Sequence, residues 1–599
     1  MLLPAHGPPV NTIFGTITYP FKVLELLREY HKLLGYNATM REDLKKAIAE
    51  ALGRGPSRET LQKAGVSAVA EHIIIEHTNE LKNGDYATGV ALQFAKQAGK
   101  SPRILAEEIA AHLGQVEGIS KIETAGPGFI NFYLDPNTLA SSINAAIQEE
   151  KWGSNTSLSG KKIMVEYTDP NPFKEFHIGH LMSNAIGESI SRLLQFSGAN
   201  IIRANYQGDV GPHVAKTVWA VKNSKVPGGS WGDAYIVGNK AYETDEMAKK
   251  EIDEINALVY SRADSAVNAI YDEGREASLK HFEKIYEILG TKFDHYFFES
   301  ETAGKGMAIV EAHPEVFESS DGAVVYKGEK AGLHTRVFIT SKGLPTYETK
   351  ELGLAELKSE KVTVDESITV TAHEQADYFK VVLAAMNEVM PDIAKKVQHV
   401  THGMMRFAEG KMSSRTGNVI TGETLLNDLI EEAKKRAAES RADDKENLAE
   451  QVAVAAIKYQ VLKQASGKDI IFDRERALSL EGDSGPYLQY AHARTCAVVE
   501  KASGQNISPR FDEHAEISDL TRLLHRFPEI VLRAAEEREP HHLTTYLTEV
   551  AALFNRWYAT QHILDGSNAQ AHKVAITNAV CCTLKNGLWL LGIPAPEKM

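Results

Sequence analysis

The chain has 599 residues, 43% of them hydrophobic and 24% charged, with a formal net charge of −14. That length exceeds what one hydrophobic core sustains, so about two to four domains are expected. The acidic balance argues against a general nucleic-acid binder, whose domain is usually basic, while leaving room for local basic stripes. No window reaches the roughly 18 uninterrupted apolar residues of a membrane span. The N-terminus, MLLPAHGPPVNTIFGTITYPF, has neither a basic n-region nor Arg-rich amphipathic character, so no secretory signal or transit peptide is read and a cytoplasmic location is expected. The cysteines, Cys496, Cys581 and Cys582, form no CxxC pair, and adjacent cysteines do not readily bridge each other. A reduced compartment and no structural metal follow as the expectation.

Residues 1–24 are Pro- and Gly-containing, weakly patterned, and read as an extension. Residues 25–155 read as a small α+β domain, with helical stretches at 22–33, 41–52 and 103–113 and short strands at 72–75 and 129–134. The Ser-, Asn- and Gly-rich stretch 153–160 reads as a linker. An α/β domain is expected over 161–422. It opens on the apolar run Ile163-Met164-Val165, and strands recur at 323–326, 337–339 and 368–371. Between them the charged block 242–289 has helical character. A Rossmann-type parallel sheet with a helical insertion around 216–289 is the simplest account. From 423 to 599 the pattern is all-helical, a bundle with helices at 425–439, 448–466, 486–502, 520–537, 546–562 and 570–591.

The chemistry concentrates in two short motifs. His177-Ile178-Gly179-His180 follows the extended Asp169-Pro170-Asn171-Pro172 and precedes Ala185, Ile186, Ile190, Leu193 and Leu194 at helical spacing. The histidines therefore stand at a helix start, where free backbone N–H groups and the dipole favour phosphate. Imidazole N–H groups there can meet phosphate oxygens as negative charge builds up, and Gly179 admits a close approach. The plain alternative is a pair of structural histidines. Lys411-Met412-Ser413-Ser414-Arg415, between Gly410 and Gly417, offers two cations and two hydroxyls that could close over a triphosphate. The plain alternative there is a solvated basic turn. No GxxxxGK[ST] occurs, and His373-Glu374-Gln375-Ala376-Asp377 is not HExxH, which excludes P-loop and zinc-peptidase readings.

In this order the two motifs resemble the HIGH and KMSKS signatures of class I aminoacyl-tRNA synthetases. The resemblance narrows at Asp169-Pro170-Asn171-Pro172-Phe173-Lys174-Glu175 and at Gly485-Pro486-Tyr487-Leu488-Gln489-Tyr490-Ala491-His492-Ala493-Arg494. The second stretch is similar to the one that opens the anticodon-binding region of arginyl-tRNA synthetases. Gly84-Asp85-Tyr86-Ala87-Thr88, Gly126-Pro127-Gly128-Phe129 and the chain end also resemble that family, so the likeness covers about residues 25–599. It implies catalytic roles for His177, Gly179, His180, Lys411, Ser413, Ser414 and Arg415. Ser414 stands where the family has its second lysine, and the resemblance implies Lys174 as the source of the missing charge, with the adjacent Arg415 as the alternative.

The same resemblance places arginine at Glu166, Asn171, His180, Tyr347, Glu351 and Gln375, with Glu351 where the family commonly has Asp. The chemistry agrees, because a guanidinium pairs bidentately with carboxylates. The plain reading of each Glu is a solvated charge. ATP, with Mg²⁺, is expected at His177, His180, His402, Gly403 and Met412, and no protein-bound structural metal is expected. Contacts to tRNA are expected at Phe129, Asn131, Tyr490 and Tyr558, since looped-out bases are read by aromatic stacking and edge hydrogen bonds. A core role is the alternative for Phe129, and also for Trp557. The implied activity is formation of arginyl-adenylate from L-arginine and ATP. Transfer to the 2′-hydroxyl of the terminal adenosine of tRNA-Arg follows, by a monomer that needs bound tRNA for the first step. The rivals are another HIGH-bearing adenylyl-transferring enzyme and a catalytically silent RNA-binding relative.

Overall fold

The structure is a computed structural model that describes residues 40–63, 70–78, 80–226, 230–408, 420–438, 440–512, 514 and 517–599. The extension 1–24, the helix expected at 22–33 and the whole of Lys411 to Arg415 lie outside the described residues.

The first domain places helices α1 (Met40–Arg54), α2 (Val90–Ala98) and α3 (Pro102–Leu113) on an antiparallel sheet of order β1-β2-β4-β3. Its strands are β1 (Glu76–His77), β2 (Tyr86–Thr88), β3 (Ile119–Ala125) and β4 (Phe129–Leu134). Along β4, Ile130, Phe132 and Leu134 face the core, the period of two that a half-covered sheet demands. The strand expected at 72–75 is displaced. Ile73 and Ile75 are buried and Ile74 exposed, as alternation requires, but only Glu76 and His77 find ladder partners. Helix α4 (Pro136–Gln148) then starts sharply, because Asp135 accepts from the Thr138 N–H at 2.8 Å and Pro136 occupies the first turn.

The central sheet is wholly parallel, in the order β12-β11-β5-β6-β7. β5 (Lys162–Glu166) leads into α5 (Ile178–Phe196) and then β6 (Asn200–Gln207). The apolar run of β5 exists because both faces are covered. Ile163 and Val165 join the cluster that contains α5, while Met164 joins Leu354 and Leu357 on the opposite side. The charged block forms α6 (Pro212–Lys222), α7 (Trp231–Thr244), α8 (Glu246–Ser261) and α9 (Ser265–Leu289) before β7 (His295–Phe298). Next come α10 (Glu299–Ala312) and β8 (Phe317–Ser320), β9 (Ala323–Tyr326) and β10 (Arg336–Ile339). The strands expected at 323–326 and 337–339 thus exist, but they form a separate antiparallel sheet rather than extending the parallel one. Helix α11 (Tyr347–Lys361), β11 (Glu366–Ala372), α12 (Ala376–Val389) and β12 (Val397–His402) complete the α/β layer.

Beyond β13 (Met405–Phe407) come α13 (Gly422–Ala437), α14 (Lys445–Leu462), β14 (Ile470–Phe472), α15 (Gly485–Gly504), α16 (Asp519–His525), α17 (Phe527–Glu537), α18 (His541–Thr560) and α19 (Gln570–Leu590). The run after 423 is therefore not purely helical, since β14 pairs in parallel with β13. The helix expected at 520–537 is two, broken around Arg526 ahead of Pro528, which has no N–H to continue the ladder.

Polar contacts tie the domains together. Asp85 accepts from Arg522 at 2.7 Å and from the Leu134 N–H at 2.8 Å, while the Tyr86 hydroxyl donates to Glu529 at 2.9 Å. The chain end is locked likewise. Fully buried Lys458 of α14 donates to the carbonyls of Leu289 at 2.7 Å and Gly592 at 2.9 Å, and Gln489 donates to that of Pro594 at 2.9 Å.

Candidate active site

The loop from β5 to α5 is where the backbone leaves its comfortable regions. Thr168, Asp169 and Phe173 have φ of 79°, 47° and 68°. A positive φ is costly for a β-branched residue such as Thr168, and such strain persists only where the surroundings over-determine it. They do here. Ser183 Oγ accepts from the Thr168 N–H at 3.0 Å, Asp169 Oδ1 from the Tyr206 N–H at 2.7 Å, and Ser278 Oγ from the Phe173 N–H at 3.0 Å. Asn171 sits at the end of β6, its amide oxygen against Gly208, where a Cβ would collide with it.

This loop delivers His177 as the cap of α5. The His177 N–H donates to Nδ1 of His180 at 3.0 Å, and the two rings stack at 4.4 Å between centroids. With Nδ1 accepting, a neutral His180 carries its proton on Nε2 as a free donor. Burial, with His177 and Lys174 beside it, holds the His180 pKa well below its ordinary value, so the ring is neutral near pH 7. Burial and Lys174 also lower that of His177. Gly179 is exposed, with nothing within 4 Å of where a Cβ would stand. Lys174 lies half-buried with its ammonium 5.3 Å from the Tyr235 ring, its pKa lowered by burial and by Lys216. This side of the site is a cationic and donor-rich helix N-terminus, suited to phosphates.

The other side is acidic. Glu166, at the end of β5, is only 2% exposed and pairs with Lys358 Nζ at 2.7 Å. It is not a solvated surface charge. Glu351 lies on the same helix, α11, as Lys358, and burial followed by the charge of Glu166 pushes its carboxyl up to about 8. Burial and then Glu166 also raise Asp169 well above the ordinary carboxylate range. One ammonium thus faces three carboxyls whose charges act on one another, an arrangement suited to a further cation. Asp169 and Lys358 were not singled out from sequence, although Lys358 stands two turns after Glu351 on one face of a helix.

Tyr347, at the first turn of α11, is largely exposed, and Gln375 is exposed in the turn that follows β11. Glu166, Asn171 and Gln375 all lie at or just beyond the C-terminal ends of parallel strands, where ligands of such sheets bind. His402 is different. It is buried, and its Nδ1 faces the Gly403 carbonyl at 2.8 Å, while Gly403 accommodates the backbone of Lys468. Lys411, Met412, Ser413, Ser414 and Arg415 lie outside the described residues. The helix that follows them does reach the site. The N–H of Gly422 donates to the Phe176 carbonyl at 2.8 Å, and a Cβ on Gly422 would stand 2.5 Å from the His177 carbonyl oxygen.

Of the residues expected to meet RNA, Phe129 is 41% exposed, so it is not core, whereas Asn131 is only 7% exposed. Tyr490 and Tyr558 come together. The Arg494 guanidinium lies 4.7 Å from the Tyr490 ring and 5.1 Å from the Tyr558 ring. Trp557 packs half-buried against the core.

Three family models match along the chain: "Arginyl tRNA synthetase N terminal domain" over residues 38–134, "tRNA synthetases class I (R), catalytic domain" over 142–474 and "DALR anticodon binding domain" over 488–599. The chain belongs to the arginyl-tRNA synthetase family. The arginine–tRNA ligase of Clostridium perfringens is 30% identical over 584 residues, spanning 93% of this chain and all of that one. The arginyl-tRNA synthetase of Thermus thermophilus superposes with a TM-score of 0.72 at 27% identity, covering 94% of this chain and 100% of that one. The Plasmodium falciparum arginyl-tRNA synthetase also gives 0.72, at 22% identity over 91% of this chain and 98% of that one, a likeness of fold. The parallel sheet, the amino-terminal α+β domain and the helical carboxy-terminal domain are thus those of an arginine–tRNA ligase. Among the described residues no helix is long and apolar enough to cross a membrane.

Proposed function

We propose that this synthetase activates L-arginine on the surface between its two oppositely charged walls. The observation that carries the reading is the juxtaposition, across one strained loop, of a neutral-histidine helix N-terminus and a triple-carboxyl pocket anchored on buried Glu166. The arginine guanidinium enters the pocket of Glu166, Asp169 and Glu351. Asn171, Tyr347 and Gln375 line the path of the α-amino and α-carboxylate groups. ATP, taken as its Mg²⁺ complex with the cation on the phosphates, lies along the start of α5, under His177, Gly179 and His180. Lys174 supplies the charge that Ser414 lacks.

The arginine carboxylate attacks the α-phosphate in line and pyrophosphate leaves. His180 Nε2–H donates to a phosphate oxygen as charge accumulates on it, and Lys411, Ser413 and Arg415 close on the leaving group. The arginyl group then passes to the 2′-hydroxyl of the terminal adenosine of tRNA-Arg. No covalent enzyme intermediate is needed, and positioning with charge stabilisation supplies the rate.

On the same reading, the Tyr490–Arg494–Tyr558 platform stacks anticodon bases, and Phe129 stacks a base of the tRNA outside the anticodon. The enzyme acts as a monomer in the cytoplasm, which light scattering and cell fractionation check. The central test is charging of total tRNA with each amino acid in turn. Arginine alone should be esterified, and charging with any other amino acid, or with none, would overturn the reading.

A further inference from the structure

Sequence spacing gave no reason to expect a metal, because no two cysteines stand at ligand separation along the chain. Folding supplies what spacing does not. His492 and Cys496 are one turn apart on α15, hence on one face, and α19 brings Cys581 to them. Cys496 Sγ lies 3.5 Å from His492 Nε2 and 3.3 Å from Cys581 Sγ, and the three potential ligand atoms all fall within 4.8 Å of one another. A tetrahedral Zn²⁺, with bonds of about 2.3 Å to sulfur and 2.0–2.1 Å to nitrogen, holds its ligand atoms roughly 3.5–3.8 Å apart. The histidine is already set for the task. Its Nδ1 faces the Pro596 carbonyl at 2.9 Å, which places the ring proton on Nδ1 and leaves the Nε2 lone pair facing the thiols. A carbonyl on the far nitrogen is the usual orienting partner of a metal-binding imidazole. His492 is buried, whereas Cys496 and Cys581 are half-buried, so an ion can reach the cluster from solvent.

We propose that His492, Cys496 and Cys581 form a binding site for a thiophilic divalent cation, Zn²⁺, that staples α15 to α19. Two thiolates and one neutral imidazole are a borderline-soft donor set that favours zinc over Mg²⁺ or Ca²⁺. The fourth position falls to solvent. Two protons leave the thiols as the ion binds, and no redox partner is involved. Cys582, next in sequence, points elsewhere, with Sγ 3.7 Å from the Asn578 amide oxygen, and serves as an internal control.

The test uses the full-length protein, reduced and stripped with a chelator, then titrated with Co²⁺ as a spectroscopic probe and with Zn²⁺ in competition. The expected result is one equivalent of Co²⁺ with a thiolate-to-cobalt charge-transfer band and the intense d–d bands of tetrahedral cobalt, both bleached by Zn²⁺. Cys582→Ser should keep them, and Cys581→Ser should weaken binding at least tenfold. Zn²⁺ should also raise Tm for the wild type but not for Cys581→Ser, as for any ligand of the folded state. Absence of the charge-transfer band in the wild type would overturn the proposal whatever the variants do. So would an undiminished band in Cys581→Ser, or a Cys496–Cys581 disulfide found by thiol trapping in protein purified without reductant.

Discussion

At the scale of single residues, the site divides into groups whose work is local and groups whose work depends on the fold. His180 is local. The donor role proposed for it rests on its place in the first turn of α5 and on the bond that its Nδ1 accepts. His180→Ala should fold normally and lower adenylate formation on the order of 10²–10³-fold, as for loss of one preorganised donor. Arginine-dependent ATP–pyrophosphate exchange checks this, and an unchanged turnover with normal arginine binding would end the assignment. Glu351 is not local, because its carboxyl is shifted by burial and by Glu166 on a different element. A carboxyl raised to about 8 is mostly protonated at pH 7 in the free enzyme and must ionise to pair with a guanidinium. Arginine binding should therefore release a proton near pH 7 and tighten as pH rises towards 8. Calorimetry in buffers of different ionisation enthalpy measures the release, and Glu351→Gln should diminish it. The place of His177, Gly179 and His180 at a helix start was legible in sequence because a helix start is a local event. The grouping of Asp169 and Lys358 with Glu166 was not, because nothing in a linear chain announces which charges will be brought together.

Whole elements carry a different lesson. The alternation at 323–326 and 337–339 signals strand correctly, but a period of two says nothing about which sheet a strand joins. The helix expected at 520–537 carried its own contradiction in Pro528, whose missing N–H outweighed the apolar periodicity on either side. The most consequential element is α13. Its first residue packs on the carbonyl of His177, so the segment after the Lys411 motif is seated on the other signature. Gly422→Ala puts a methyl group 2.5 Å from that oxygen. Overpacking of this kind costs about 1–3 kcal/mol. A urea titration should register that loss, and exchange activity should fall in the protein that remains folded. Wild-type values in both assays would mean that the two motifs are not mechanically joined through this helix.

At the scale of the molecule, that contact provides a route from RNA to chemistry. The tRNA expected to grip the carboxy-terminal helices can bias α13, and through it the Lys411 segment and His177. All that is needed is for tRNA to bind one arrangement more tightly than the other. A preference of about 4 kcal/mol would change their ratio roughly a thousandfold. ATP–pyrophosphate exchange should accordingly depend on cognate tRNA, and full exchange by RNase-treated enzyme would refute the coupling. Tyr558→Ala should raise the KM for tRNA without altering that for arginine once tRNA is saturating. Equal effects on both would show that the aromatic platform is structural. The three-domain plan was readable from composition and motif order. The way the domains lock together was not, because Asp85 and Arg522 are distant in sequence and meet only in the fold.

The bonds made by Lys458 have a consequence for how the enzyme is born. This ammonium sits in the interior of α14, and one of its two carbonyl partners, Gly592, lies 134 residues further along the chain. Burial pulls its pKa down to about 7, so it has little tolerance for losing a partner. While Gly592 remains inside the exit tunnel, the catalytic half cannot finish its own core, however early its sequence emerged. Nascent chains stalled with Gly592 still inside the exit tunnel should be cut by protease within 445–462, and released chains should resist. An enzyme that serves translation would thus be withheld from service until Gly592 has left the ribosome.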